Sequence, residues 1–128
     1  MTKEILNPST IVSMPAAYSQ AVKVGNTIYI SGQVAWDKEG KVVGGGDCRA
    51  QAEKAYENMG EVLKAAGANF RDVVKLNVYF VNPDDMTKVR GVREKYFGDN
   101  VPANTTVVVQ RLARPELLLE IEAVAVVQ

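Results

Sequence analysis

The order of apolar patterns along the chain predicts an α+β fold: a mixed β-sheet with two helices packed on one face. Three observations carry this. A hairpin signature lies near the N-terminus, two segments with helical spacing are each followed by glycine, and strand-like alternation returns between and after them. At 128 residues the chain supplies one core, and with no repeat, linker or composition break it reads as a single domain over residues 1–128.

Residues 20–31, "QAVKVGNTIYIS", hold two short β-prone runs around Gly25-Asn26, a pair that takes the positive φ angles of a tight hairpin turn. After the turn-rich "DKEGKVVGGGD", Asp47 is placed to cap a helix. From Cys48 to Ala66 the residues Ala52, Ala55, Met59, Val62, Leu63 and Ala66 recur at three- and four-residue spacing, and Gly67 stops the run. In "VVKLNVYFV", residues 73–81, Val74, Leu76, Val78 and Phe80 alternate with Lys75, Asn77 and Tyr79, as in a strand. The run "NPDDMTKVRGVREKYFG" predicts a second helix, with Pro83 in its first turn, Asp84 and Asp85 at its positive end and Gly98 closing it. Strands over residues 105–112 and 118–127 complete the order strand, strand, helix, strand, helix, strand, strand.

The last strand poses the main question. Leu119, Ile121, Ala123, Ala125 and Val127 form one apolar face, whereas Glu120 and Glu122 share the other with Leu118, Val124 and Val126. A chain this short has no third layer for that second face. Packing against another subunit is the expected solution.

Composition excludes several function classes. Fifteen basic residues balance fifteen acidic ones and are scattered, so nucleic acid is not the expected ligand. Without histidine there is no imidazole base, and with a single cysteine no thiolate pair, so a transition-metal site is not expected. Cys48 reads as a helix residue rather than a nucleophile. No apolar run is long enough for a membrane span, and Glu4 and Asn7 interrupt the N-terminal stretch, so a cytoplasmic protein is expected. Gly44-Gly45-Gly46 lacks the Lys-Ser/Thr of a phosphate loop and reads as a turn. Arg93 falls among Met86, Val89, Tyr96 and Phe97 on a helical wheel, with Arg90 beside it. Its stem either covers the core edge, or its guanidinium binds an anion at a subunit border, Glu120 or a ligand carboxylate. Tyr18, Ser31 and Thr106 are, by themselves, isolated hydroxyls.

"YSQAVKVGNTIYISGQV" at 18–34, "NMGEVLKAAGANFRDVVKLNVYFVNPDDM" at 58–86, "VPANTTVVVQRLA" at 101–113 and "LEIEAVAV" at 119–126 together resemble the reactive intermediate deaminase (Rid), or YjgF-like, family. The resemblance spans nearly the whole chain, with its blocks in order. It implies a chorismate-mutase-like fold assembled as a homotrimer, with small-molecule clefts between subunits. It also implies cofactor-free hydrolysis of enamines and imines to a 2-keto acid and ammonia. Carried over by position, the pocket tyrosine is Tyr18, the strand serine Ser31 and the water-positioning acid Glu120.

The departures surround the same site. Where deaminating members carry an arginine that clamps the substrate carboxylate, this chain has Asn104. Loss of such a charge-assisted, two-pronged contact costs roughly 1.5–3 kcal/mol, or about ten- to a few hundred-fold in binding. Arg90 stands at a position commonly asparagine, Thr106 at one often cysteine, and Ala16-Ala17 where Gly-Pro is frequent; the loop 98–101 is short. The resemblance with these changes implies a small-molecule hydrolase of altered substrate choice: Glu120 handles water, Asn104 and Arg90 select the substrate, Thr106 lines the pocket, and Tyr18 and Ser31 shape the cleft. The alternative is a non-catalytic metabolite-binding trimer in which Arg90 and Glu120 pair with each other. An RNA-directed activity, credited to some relatives, fits the neutral charge poorly.

Overall fold

The computed structural model describes residues 2–128. Among them six strands form one sheet: β1 (Lys3–Leu6), β2 (Ala21–Val24), β3 (Thr27–Gln33), β4 (Val73–Phe80), β5 (Ala103–Val108) and β6 (Leu119–Val126), in the order β1-β2-β3-β6-β4-β5. Only β4 and β5 pair in parallel; β6 runs antiparallel to both its neighbours, β3 and β4. The parallel pair needs a crossover, supplied by the helical segment 83–97, and α1 (Cys48–Ala65) carries the chain from β3 over to β4.

The hairpin forms as expected, with Gly25 at φ 58°. Asp47 caps α1 by accepting a hydrogen bond from the Ala50 N–H at 3.1 Å. The helix buries Ala52, Ala55, Met59, Val62 and Leu63 against Ile28, Leu76, Leu119, Ile121 and Ala125 of the sheet, all essentially solvent-free. Each large apolar side chain so buried contributes about 1.5–3 kcal/mol. This is the core. The opposite face carries Tyr29, Val107 and Val126, each with more than a third of its surface exposed.

Four elements differ from the sequence reading. β1 was not expected; its four exposed or half-exposed residues carry no alternation that outweighs a terminal coil. At the start of β4 Val73 is buried and Val74 is 48% exposed, because the register against β6 slips between Val73 and Lys75. The second helix is not continuous. The Asn82 side chain accepts from the Asp84 N–H and tightens Pro83–Asp85 into a 3₁₀ turn, a second such turn spans Thr87–Val89, and only α2 (Arg90–Phe97) is α-helical. Finally, β5 spans Ala103–Val108 rather than 105–112.

Cys48 is buried, and its thiol is pushed up to about 12 by burial first and by the neighbouring Asp85 second. At neutral pH it is an inert thiol, consistent with its reading as a helix residue.

Candidate functional site

Neighbouring residues of β6 point to opposite faces, so Leu119 enters the core while Glu120 emerges on the face that no helix covers. There Glu120, Tyr18 and Ser31 line one hollow of about 460 Å³, together with Met14, Gly32, Trp36 and Glu122.

Gly32 makes the room. β3 bulges between Ile30 and Gln33, so that Ser31 and Gly32 together face the stretch of β6 between Ile121 and Ala123. A Cβ on Gly32 would lie 2.0 Å from Glu120 Oε2; only glycine lets the carboxylate lie over the strand. A glycine inside a strand pattern signals close approach, and that signal was available in "ISGQV".

The other groups are held from behind. Ser31 Oγ donates to the Ser19 carbonyl at 2.6 Å, which leaves its oxygen as an acceptor towards the hollow. Tyr18 sits on the segment preceding β2, anchored by buried Gln20. That side chain donates to the Val12 carbonyl and accepts from Gln33 Nε2, both at 2.8 Å. On the far rim, α1 fixes the chain with two buried amides. Asn58 donates to the Val34 and Trp36 carbonyls, and Gln51 holds the Glu116 carbonyl and the Leu118 N–H. Arg114 lies over the Trp36 ring, 5.3 Å from its centre, and donates to the Gly40 carbonyl.

No Lys or Arg pairs with Glu120 among the described residues. Burial, and secondarily the charge of Glu122, raise its carboxyl above the ordinary glutamate value. Tyr18 is raised too, by burial first and the Glu120 charge second, with nearby Gln20 working the other way. Glu122 is differently placed: its Oε1 accepts from Tyr79 at 2.5 Å and Asn77 at 3.1 Å. A part-buried carboxylate free of any cation, beside an acceptor hydroxyl and a phenol, can take a proton from water and return it.

The remaining predicted residues lie elsewhere. Arg90 and Thr106, with Arg93, line a second hollow of about 290 Å³ between α2 and the sheet, floored by Val78, Phe80 and Leu119. Asn104, exposed on the edge strand β5, donates from Nδ2 to Thr106 Oγ1 at 2.8 Å. Within one chain the sheet therefore separates {Tyr18, Ser31, Glu120} from {Arg90, Asn104, Thr106}. Arg93 lies on the helix side too and makes no ion pair with Glu120 within the chain. Among the described residues no cluster of acids or thiols is arranged to hold a metal ion, and no helix is long and apolar enough to cross a membrane.

The chain is similar to known proteins over most of its length. A RutC family protein of Pyrococcus abyssi is 38% identical over 98% of both chains. The human 2-iminobutanoate/2-iminopropanoate deaminase is 44% identical over 85% of this chain and 79% of its own length. The crystal structure of RidA from the Antarctic bacterium Psychrobacter sp. PAMC 21119 superposes with a TM-score of 0.90 at 34% identity, covering 97% of this chain and 99% of that one. The family model described as Endoribonuclease L-PSP matches residues 10–127. From the β6 motif to the sheet order, the protein belongs to that family, the Rid or YjgF-like family.

Proposed function

We propose that the protein is a cofactor-independent hydrolase of enamine- or imine-type metabolites, acting in the cytoplasm in clefts that a second copy of the chain completes within a homotrimer. Relatives named as 2-iminobutanoate/2-iminopropanoate deaminases support the reaction class. The observation that carries the reading is Glu120: an unpaired, part-buried carboxylate over Gly32, facing Tyr18 and Ser31.

Glu120 deprotonates a water as its oxygen bonds to the imine carbon, and the C=N electron pair moves to nitrogen. Glu120 returns that proton to nitrogen, giving the neutral carbinolamine. It then takes the carbinol O–H proton and passes it to the same nitrogen as the C–N bond breaks, so that ammonia leaves and the 2-oxo product remains. Ser31, with its own proton committed to Ser19, accepts from substrate or water; Tyr18 shapes and screens the cleft. No redox or metal step is needed for this balance.

An isolated chain presents its acid and its cations in different hollows. The exposed apolar side chains Tyr29, Val107 and Val126 on the uncovered face, and the unpaired edge of β5, give a second copy surface to pack on. Such packing would bring the neighbour's Arg90, Asn104 and Thr106 to the Glu120 hollow, where they select the substrate. With Asn104 in place of a charged clamp, Arg90 supplies the cation for the substrate carboxylate.

The test is ammonia release from imines generated in situ by an amino-acid oxidase. Glu120→Gln is expected to lower the rate by about 10²–10⁴-fold; an undiminished rate removes Glu120 from this role. A second reading, a non-catalytic metabolite-binding trimer, is favoured by one observation: Asn104 gives its amide to Thr106 and leaves β5 without a cation. It predicts saturable binding with no turnover.

A further inference from the structure

Arg90 and Arg93 stand one helical turn apart on α2 and line the same hollow. Residues so spaced have Cβ atoms about 5–6 Å apart, and like charges there repel. Neither makes an ion pair or a side-chain hydrogen bond among the described residues. Lys95 holds Glu53 and Lys88 holds Asp85, each at 3.0 Å, and Glu94 and Asp99, which line a separate hollow with Arg93, form no ion pair with it. Arg93 is part-buried and close enough to the buried Tyr56 hydroxyl to bear on its ionisation. Both arginines thus line a hollow that no carboxylate lines, over an apolar floor of Val78, Phe80 and Leu119.

We infer that Arg90 and Arg93 together select a small substrate with two carboxylates joined by a short carbon chain, the imine of an acidic amino acid. Each guanidinium offers a planar pair of donors that matches a carboxylate. The spacing suits the ends of a four- or five-carbon diacid, and the apolar floor suits the chain between them. A monocarboxylate leaves one of the two charges uncompensated. The catalytic part of this inference rests on the hydrolase reading above, whereas diacid binding stands apart from it.

Two measurements on the protein separate the two. The first compares kcat/KM for imines generated from glutamate and aspartate with those from alanine and leucine. At least about a tenfold preference for the acidic pair is expected, with the ratio collapsing in Arg93→Gln and partly restored in Arg93→Lys. The second is calorimetric titration with 2-oxoglutarate, 2-oxobutanoate and inorganic phosphate. 2-Oxoglutarate is expected to bind at least about tenfold more tightly than the other two, and Arg93→Gln to abolish that margin. Turnover of neutral imines with no diacid preference in either measurement overturns the inference and leaves the hydrolase reading standing. Selective diacid binding without any turnover does the reverse. Equal binding of all three probes, or tightest binding of phosphate, overturns the diacid assignment; equal binding is also the outcome if a second copy's acids occupy the arginines.

Discussion

Two hollows lie on opposite faces of the same sheet, and they differ in sign. The one on the uncovered face carries Glu120 and Glu122 and no unpaired cation; the one beneath α2 carries Arg90 and Arg93 and no acid. Their shared wall is β6, where Leu119 floors one and Glu120 projects into the other. Period-two alternation thus separates the acid-bearing hollow from the arginine-bearing one by a single residue step. In the proposed shared cleft, each supplies half of the site.

The largest effects should show how independently the two faces behave. Leu119→Ala, in a fully buried position, should cost about 2–5 kcal/mol of stability, read as a lower denaturant midpoint. Glu120→Gln, one residue on, should abolish most activity without that loss. Because its carboxyl is raised in the folded state, ionising Glu120 costs stability that is lost as pH climbs from the unfolded value through the folded one. At neutral pH the glutamine variant should therefore melt no lower than the natural protein; a marked fall in Tm would mean that Glu120 holds structure.

Gly32→Ala tests the acid's position rather than its charge. A methyl 2.0 Å from Oε2 must displace the carboxylate, and a misplacement of about 1 Å costs on the order of 100-fold in kcat. Unchanged turnover would mean that the observed placement is not the working one. On the other side of the sheet, Asn104→Arg adds a carboxylate clamp and should tighten 2-oxo acid binding about tenfold or more, visible by calorimetry. No gain would imply that Arg90 already fills that role. The smallest effect is in pH. If Glu120 acts as base, the rate rises with pH along a limb above the ordinary glutamate value, and Glu122→Gln should move that limb downward by removing the second cause of the shift.

Much of the fold was legible because its signals are local. Gly25-Asn26 marks the hairpin, Asp47 and Gly67 bracket α1, and the alternation in β6 separates core from open face. What failed depended on tertiary context. Val74 looks like a core residue until the register slip in β4 turns it out, and the Asn82 turn breaks a run whose composition is otherwise helical. Within the site, Glu120 stood out as an acid in an apolar strand, and Tyr18 and Ser31 followed by resemblance. Gln20, Gln33, Gln51 and Asn58 did not stand out: a buried amide that ties one segment to another has no signature in one dimension. Nor could spacing reveal that Arg90 and Glu120 lie on opposite faces, since that depends on the crossover from β4 to β5.

In the proposed function the acid of one chain works with the arginine-bearing hollow of another. Complementation tests it most directly. Glu120→Gln and Arg90→Gln chains, each impaired alone, are unfolded together, refolded as a mixture and assayed for imine hydrolysis. Shared sites predict that activity reappears in the mixture, because some clefts then pair an intact Glu120 with an intact Arg90. Mixed oligomers that form yet stay as inactive as their parents would contradict the account.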